Sequence, residues 1–168
     1  VFSPPYPNSF DYTDIYNVEL WVLGYLGSSV DNLTLRNQTL RSHVQIRRLY
    51  EGPRNKSRKL NSVLDALGSR REVLWDSTIP EMVGAYFRDL ELVLEQSQRL
   101  LASTGKVMMV VGDSRYADVR IEVAAILAEL AQSMGFGRVT TREVRQMRAS
   151  AQQGGNFQLS ESIVELAL

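Results

Sequence analysis

An amphipathic segment over residues 78–101, followed after Gly105 by an uninterrupted apolar run, constrains the fold more than any other feature. Apolar side chains recur through the first segment at helical spacing, and Thr78 and Glu81 are spaced as in a capping box. The run at residues 107–111 contains no polar side chain, which is typical of a strand buried on both faces of a parallel sheet. The sequence therefore predicts a long helix leading directly into a central strand.

The other periodic segments continue this alternation of helices and strands. They are predicted as a helix over 12–26, a helix over 120–134, and strands over 138–147 and 162–168. The first helix is apolar on most sides, which indicates burial. Val1 and Phe2 resemble the end of a further strand. We therefore expect an α/β fold with three layers, a mostly parallel sheet and a terminal antiparallel hairpin, in one domain spanning residues 1–168.

Composition excludes several classes of site. The 168 residues include no cysteine and one histidine, so we expect neither disulfides nor a cysteine- or histidine-based metal site. No apolar run reaches the roughly 18 residues that a membrane span needs. No secretory signal peptide is visible, which makes a cytoplasmic location the expectation. The chain enters at Val1 without a methionine, and we expect it to be a fragment of a longer protein.

A basic stretch interrupts the alternation, and we delimit it as an insertion over residues 28–70. Within it, residues 36–59 hold one acid, Glu51, and eight basic residues. The eight are Arg36, Arg41, Arg47, Arg48, Arg54, Lys56, Arg58 and Lys59. Since the net charge of the whole chain is zero, this concentration of positive charge suits an element that faces a polyanion. A solvated insertion without a ligand is the alternative.

The motif that carries chemistry is Ser3-Pro4-Pro5-Tyr6, which directly follows the predicted strand end. With the run that continues to Asp11-Tyr12, it resembles the catalytic motif of S-adenosylmethionine-dependent DNA methyltransferases that modify exocyclic amino groups. The Val110-Val111-Gly112-Asp113-Ser114 run after a glycine turn also looks like that family. Taken alone, Ser-Pro-Pro-Tyr would also fit a polyproline turn or a ligand of a proline-binding domain.

The resemblance implies specific roles for the motif. The Ser3 side chain and the Pro4 carbonyl would accept the two protons of the target amine and expose its lone pair. Pro4 and Pro5 would hold that carbonyl rigidly. Tyr6 would stack on the base after it flips out of the duplex. S-adenosylmethionine would be the methyl donor, and no metal would be required.

Further site residues are predicted around this motif. Asp113 would contact the cofactor, or else cap the helix that follows it. Asp11 and Tyr12 would line the substrate pocket, or else begin a helix. Arg36, Arg41, Arg47 and Arg48 would grip DNA phosphates, and His43 beside them is expected on the surface or at the DNA backbone. A polar loop at residues 149–156 offers Gln152, Gln153 and Asn156, either as loop residues or as DNA contacts.

One part of the family pattern is missing. The resemblance implies a glycine-rich cofactor loop, and neither Gly112 nor the pair Gly154-Gly155 has its spacing. We therefore expect this chain to be the catalytic-side half of the enzyme, to bind cofactor weakly alone, and to need an N-terminal half. The predicted function is DNA amino-methylation in a restriction–modification setting, with cytosine favoured over adenine. An RNA methyltransferase, or a non-catalytic nucleic-acid-binding module of the same fold, is the alternative.

Overall fold

The computed structural model describes residues 1–8, 10–50, 57–147 and 159–168. Its helices are α1 (Tyr12–Ile15), α2 (Asn17–Val22), α3 (Ser29–Gln38), α4 (Arg58–Gly68), α5 (Ile79–Leu100) and α6 (Val123–Ser133), with a 3₁₀ turn at Arg71–Val73. Its strands are β1 (Lys106–Gly112), β2 (Ser114–Tyr116), β3 (Val119–Ile121), β4 (Arg138–Met147) and β5 (Leu159–Ala167). Parts of the predicted basic stretch and of the predicted polar loop lie outside the described residues. They include Arg54, Lys56, Gln152, Gln153 and Asn156.

The core lies where α4, α5 and α6 pack against the strands, as the helix-then-strand pattern predicts. Tyr86, Phe87 and Leu90 of α5 are fully buried, and Met109 of β1 is buried opposite them in the same cluster. The capping box predicted at the start of α5 does not form, because Thr78 makes no capping bond. Instead Asp76 accepts from the backbone and hydroxyl of Thr78.

The main sheet has three strands in the order β1-β5-β4, and both pairings are antiparallel. The terminal hairpin of β4 and β5 is therefore confirmed, whereas a mostly parallel sheet is not seen among the described strands. β1 and β4, joined through α6, do run in the same direction, but β5 inserts between them and separates them. A parallel contact occurs at the other edge of β1, as a bridge between Phe2 and Met109. This mixed helix-and-strand arrangement is consistent with a methyltransferase-like α/β fold.

A small hairpin, β2 and β3, replaces the first turn of the helix that was predicted from residue 120. Its turn residues Ala117 and Asp118 both have positive φ, at 44° and 65°, which is the backbone of a tight two-residue hairpin turn. Neither residue is glycine, so the sequence carried little sign of this turn. The helix α6 therefore begins at Val123, after the hairpin has closed.

The buried helix predicted over residues 12–26 is wrong in this chain. The segment forms two short helices that break at Tyr16, where φ is −93° and ψ is 20°. Large apolar side chains such as Val18, Val22 and Tyr25 are mostly exposed, at 71%, 79% and 73%. Apolar periodicity indicates that a helix can be buried but does not supply the surface that buries it, and the core cluster of the described residues includes none of this segment.

The insertion over residues 28–70 contains α3, an extended stretch and α4. Ser28 and Ser57 begin the two helices, each accepting a backbone N–H through its hydroxyl. α4 is amphipathic and buries Leu60 and Leu67 against the core, so this end of the insertion is structural. None of the helices in the described part of the chain has the length and hydropathy needed to cross a membrane.

Candidate active site

The Ser-Pro-Pro-Tyr corner begins where the strand end at Phe2 leaves the edge of β1. The Phe2 N–H donates to the Met108 carbonyl at 3.1 Å, and the Val110 N–H donates to the Phe2 carbonyl at 3.0 Å. These two bonds place the next residue, Ser3, at the end of a sheet strand. Sites of α/β proteins lie at such strand ends, so the corner is where the sequence predicted.

Ser3 is exposed, and its hydroxyl lies beside both the Val110 carbonyl and the Tyr6 phenol. The Ser3 hydroxyl donates to the backbone carbonyl of Val110 at 3.0 Å. A serine hydroxyl has one proton and two lone pairs, so this bond leaves both lone pairs to accept. The neighbouring Pro4 is buried, and within the described residues its carbonyl accepts no hydrogen bond. The Ser3 hydroxyl and the Pro4 carbonyl are thus two acceptors in consecutive residues, and each can accept a further hydrogen bond.

Tyr6 packs against the end of β1 and is tied to the next strand. A Cβ atom added at Gly112 would lie 2.5 Å from Tyr6 Cε2, so the ring rests directly on the glycine backbone. The phenol donates to Glu161 Oε1 at 2.6 Å. Burial, and then the bond to the Glu161 carboxylate, raise the pKa of Tyr6 to about 12, while a bond from Ser3 opposes the shift. Tyr6 is therefore a neutral, oriented aromatic ring.

Glu161 is itself held on both oxygens by Arg145. Arg145 Nε lies 2.7 Å from Glu161 Oε2, and Arg145 Nη2 lies 3.3 Å from Oε1. A β-bulge in β4 makes this pairing, because the register shifts between Glu143 and Arg145 and sets Arg145 opposite Glu161. The bond from Tyr6 and the ion pair to Arg145 both lower the pKa of Glu161, so the carboxylate stays ionised.

A third hydrogen bond holds the chain directly after the corner, at Pro7. The Tyr116 hydroxyl of β2 donates to the carbonyl of Pro7 at 3.0 Å in a buried position. The corner is therefore attached to β1 through Ser3, to β5 through Tyr6 and to β2 through Pro7. A mobile, solvent-exposed proline motif, as a ligand of a proline-binding domain would require, does not fit this arrangement.

Asp113 lies immediately after β1, and both of its oxygens have partners. Oδ2 accepts from Arg120 Nε at 3.0 Å and from Arg120 Nη2 at 2.6 Å, while Oδ1 accepts from the Val123 N–H at 3.1 Å. Because Val123 is the first residue of α6, the helix-capping alternative accounts for Asp113. A cofactor contact at Asp113 stays a prediction.

Asp11 and Tyr12 are brought near the corner with different exposures. Asp11 is buried and caps α1, accepting from the Thr13 N–H at 2.9 Å, and its Oδ2 accepts from Arg36 Nη2 at 2.5 Å. Tyr12 is 49% exposed and forms an edge-to-face contact with Phe10, with ring centroids 4.9 Å apart. Asp11 therefore organises the chain after the corner, and the half-exposed Tyr12 belongs to an aromatic group with Phe10 and Tyr16.

Three of the four predicted phosphate-contacting arginines have partners inside the chain. Arg36 pairs with Asp11, and Arg41 forms a forked pair with Asp89 of α5, with Nη2 at 2.5 Å from Oδ1. Arg48 donates to the Thr39 carbonyl at 2.7 Å. Arg47 is exposed and has no ion pair among the described residues, so it is the arginine of this group best placed to meet a phosphate.

The surface position expected for His43 is wrong, because only 2% of the residue is exposed. Arg48 Nη2 lies 2.7 Å from His43 Nε2, and Asp11 Oδ2 lies 3.3 Å from the same nitrogen. Arginine has no lone pair to offer, so Nε2 accepts and the ring is neutral. Burial and the nearby Arg48 and Arg36 charges lower the pKa of His43 against the opposing effect of Asp11.

Sequence reasoning missed Glu161 and Arg145, and noted Gly112 only as part of a turn. Tyr6 and Glu161 are 155 residues apart, so no local pattern relates them. The close contact between Tyr6 and Gly112 had a weak signal in the glycine that ends an otherwise apolar strand. Within the described residues, no group of three or more acidic or histidine side chains is arranged to hold a metal ion.

Comparison with known proteins finds relatives that are type II methyltransferases. The chain is 33% identical over 146 residues to the type II methyltransferase M.AvaI of Nostoc sp. (strain PCC 7120 / SAG 25.82 / UTEX 2576) and of Anabaena variabilis. Each of these alignments covers 81% of this chain and 30% of the relative. It is 29% identical over 181 residues to the type II methyltransferase M.BsoBI of Geobacillus stearothermophilus, which covers 94% of this chain and 35% of that protein. The chain thus spans about a third of the length of these methyltransferase homologues. No protein-family model matches it, and no solved structure gives a significant match.

Proposed function

We propose that this chain carries the base-holding side of a DNA methyltransferase that modifies an exocyclic amino group. The observation that carries the proposal is the Ser3 hydroxyl, which donates its proton to the Val110 carbonyl and so leaves its oxygen able to accept a hydrogen bond from a base. The similarity to type II methyltransferases supports the same assignment. Because the chain spans about a third of those relatives, the activity belongs to the whole protein.

The chemistry requires two acceptors. An exocyclic amine delocalises its lone pair into the base ring, which makes it a poor nucleophile. Hydrogen bonds from its two protons to Ser3 Oγ and the Pro4 carbonyl would favour tetrahedral geometry and return the lone pair to nitrogen. Acceptors that are fixed beforehand do not need to reorganise when charge develops. When the nitrogen is methylated it loses one proton, and this proton would leave to solvent water, because a serine hydroxyl that already donates to the Val110 carbonyl is too weak a base to keep it.

Tyr6 would supply the surface on which the base rests. Enzymes that modify a base extrude it from the duplex and stack it on aromatic side chains. The ring of Tyr6 is held by Gly112 and Glu161, so it can receive a base without first losing conformational entropy. Tyr12, exposed at the start of α1, would line the same approach.

S-adenosylmethionine is the methyl donor we propose, and it would supply a methyl group already activated by a sulfonium. The described residues do not by themselves fit this cofactor. The Tyr6 ring fills the space above Gly112, and both Asp113 oxygens have partners in the chain. We therefore assign the motif residues to the base and leave cofactor binding to the whole protein.

DNA is the proposed substrate, with cytosine favoured over adenine, in a restriction–modification system. The type II relatives support DNA, and the preference for cytosine comes from the serine at the first motif position. Arg47 is the described residue we assign to a phosphate, since long-range attraction of DNA depends on exposed cations.

Methyl transfer from a labelled donor by the complete protein tests the proposal. We expect label in duplex DNA and not in RNA, and N4-methylcytosine among the digestion products. The Tyr6→Ala variant should bind DNA and lose transfer. Label in RNA alone would favour the RNA methyltransferase, and DNA binding without any transfer by the unmodified protein would favour the non-catalytic module.

A further inference from the structure

The Tyr6 ring is the end of a chain of contacts that crosses the sheet. Gly112 of β1 lies in register with Glu161 of β5, and Glu161 lies in register with Arg145 of β4. The ring rests on the first of these residues, its hydroxyl bonds to the second, and the second is paired with the third. Three neighbouring strands therefore define the position of one aromatic ring.

We infer that Glu161, supported by Arg145, is a positioning residue that sets the angle at which Tyr6 receives the flipped base. This inference rests on the proposed function. Packing on Gly112 prevents the ring from moving towards the sheet, but does not prevent it from swinging along the sheet. The 2.6 Å bond to Glu161 removes that second freedom.

The character of the two contacts supports a positioning role. The bond from a neutral phenol to a carboxylate is charge-assisted and strong. The side chain of Glu161 is 13% exposed, whereas that of Arg145 is 68% exposed. An ion pair with so exposed a partner adds little stability, but its two-point geometry fixes the rotation of the carboxylate. The β-bulge that aims Arg145 at Glu161 is a local irregularity of the kind found beside active sites.

Glu165 provides a matched control. It lies on the same strand four residues further on, and pairs with Lys106 of β1 at 2.7 Å. It contacts neither Tyr6 nor the corner in any described bond. Removing Glu165 should therefore reproduce the loss of a β5 glutamate and its ion pair without touching the ring.

The test uses the complete protein, with an unmodified duplex for kcat. A second duplex carries pyrrolocytosine, a cytosine analogue that fluoresces more strongly when it is unstacked, at the target position. For Glu161→Ala we expect kcat to fall roughly tenfold to a hundredfold, as misplacement of a reacting group does. We also expect brighter pyrrolocytosine and an unchanged DNA Kd. Glu161→Gln keeps an oxygen that can accept from the phenol, but its NH2 group would face the N–H donors of Arg145, so it should recover only part of kcat. Glu165→Ala should behave like the unmodified protein.

A double-mutant cycle separates positioning from simple structural support. In a Tyr6→Phe background the hydroxyl is gone, so Glu161→Ala should cause no further loss of kcat or change in fluorescence. An equal further loss in that background, or normal kcat and fluorescence for Glu161→Ala, would overturn the inference. If the unmodified protein transfers no methyl group to DNA, the proposed function fails instead. Should Glu161→Ala not fold, the Gln variant and Tyr6→Phe still decide the matter.

Discussion

The Ser3 hydroxyl donates to the backbone carbonyl oxygen of Val110 across 3.0 Å, 107 residues along the chain. This bond uses the single proton of the side chain and turns both lone pairs away from β1. While that proton is donated to Val110, the Ser3 oxygen can only accept from the other groups around it, which include the Tyr6 phenol. The same bond is one of the three ties that attach the corner to the strands, so it connects the proposed chemistry of Ser3 to the placement of the corner.

Replacing Ser3 with alanine should therefore separate chemistry from folding. We expect kcat to fall by about 10² or more, as for the loss of one fixed hydrogen-bonding partner in a polar active site. Because Ser3 is exposed, the free energy of unfolding should change by less than about 1 kcal/mol. Methyl transfer and urea denaturation measure the two effects. Ser97→Ala, which removes an exposed hydroxyl bonded to the Val93 carbonyl, is the matched control and should leave kcat unchanged.

Gly112→Ala should disturb Tyr6 directly. The new Cβ atom would lie 2.5 Å from Tyr6 Cε2, so the tethered ring must move. We expect kcat to fall roughly tenfold or more and stability to fall by about 1–3 kcal/mol, as overpacking does. Gly68→Ala is the control, since nothing lies within 4 Å of that position. There the melting temperature should stay constant or rise, because alanine is the better helix former.

His43 should make the chain less stable in mild acid. Its pKa is lowered in the folded protein, whereas in the unfolded chain it returns to about 6.5. Below that value the unfolded chain takes up a proton that the folded chain resists, so the free energy of unfolding falls as the pH drops from about 6.5 towards the folded pKa. Above about pH 6.5 His43 is neutral in both the folded and the unfolded chain, so its titration takes nothing from the free energy of unfolding.

Urea denaturation at several pH values between roughly 7.5 and 5 measures this dependence. Within that window the carboxylates with lowered pKa, such as Asp11, remain ionised in both states and contribute little slope. His43→Gln removes the titrating group and should flatten the curve. An identical slope in the glutamine variant would show that another group is responsible.

Arg47 and Arg41 should respond in opposite ways to alanine substitution. For Arg47→Ala we expect weaker DNA binding at all sequences and unchanged stability. The slope of the logarithm of the binding constant against the logarithm of the salt concentration should fall by about one released counterion. Arg41→Ala breaks the forked pair with Asp89 and should cost about 1.5–3 kcal/mol of unfolding free energy. Filter binding across a salt series and thermal denaturation distinguish the two. Equal loss of DNA affinity in both variants would contradict the assignment of Arg47.

Local patterns predicted the elements whose periodicity is set by burial. The amphipathic run of α5 and the apolar run of β1 occur close to where the spacing of side chains predicts them. β4 also lies at its predicted residues, although most of its side chains are exposed. The β2–β3 turn was missed because Ala117 and Asp118 adopt positive φ without glycine. The exposure of α1 and α2 was missed because a helix pattern does not specify which surface covers it.

The sequence by itself determined the chemistry that the corner can offer: a hydroxyl, a rigid proline carbonyl and an aromatic ring in consecutive positions. Those properties belong to the residues and their covalent order. Only the tertiary structure decided which lone pairs stay free, which oxygen holds the Tyr6 ring, and which arginines are used within the chain. These are contacts between residues that are distant in sequence, as Tyr6 and Glu161 are, and they form only when the strands β1, β5 and β4 come together.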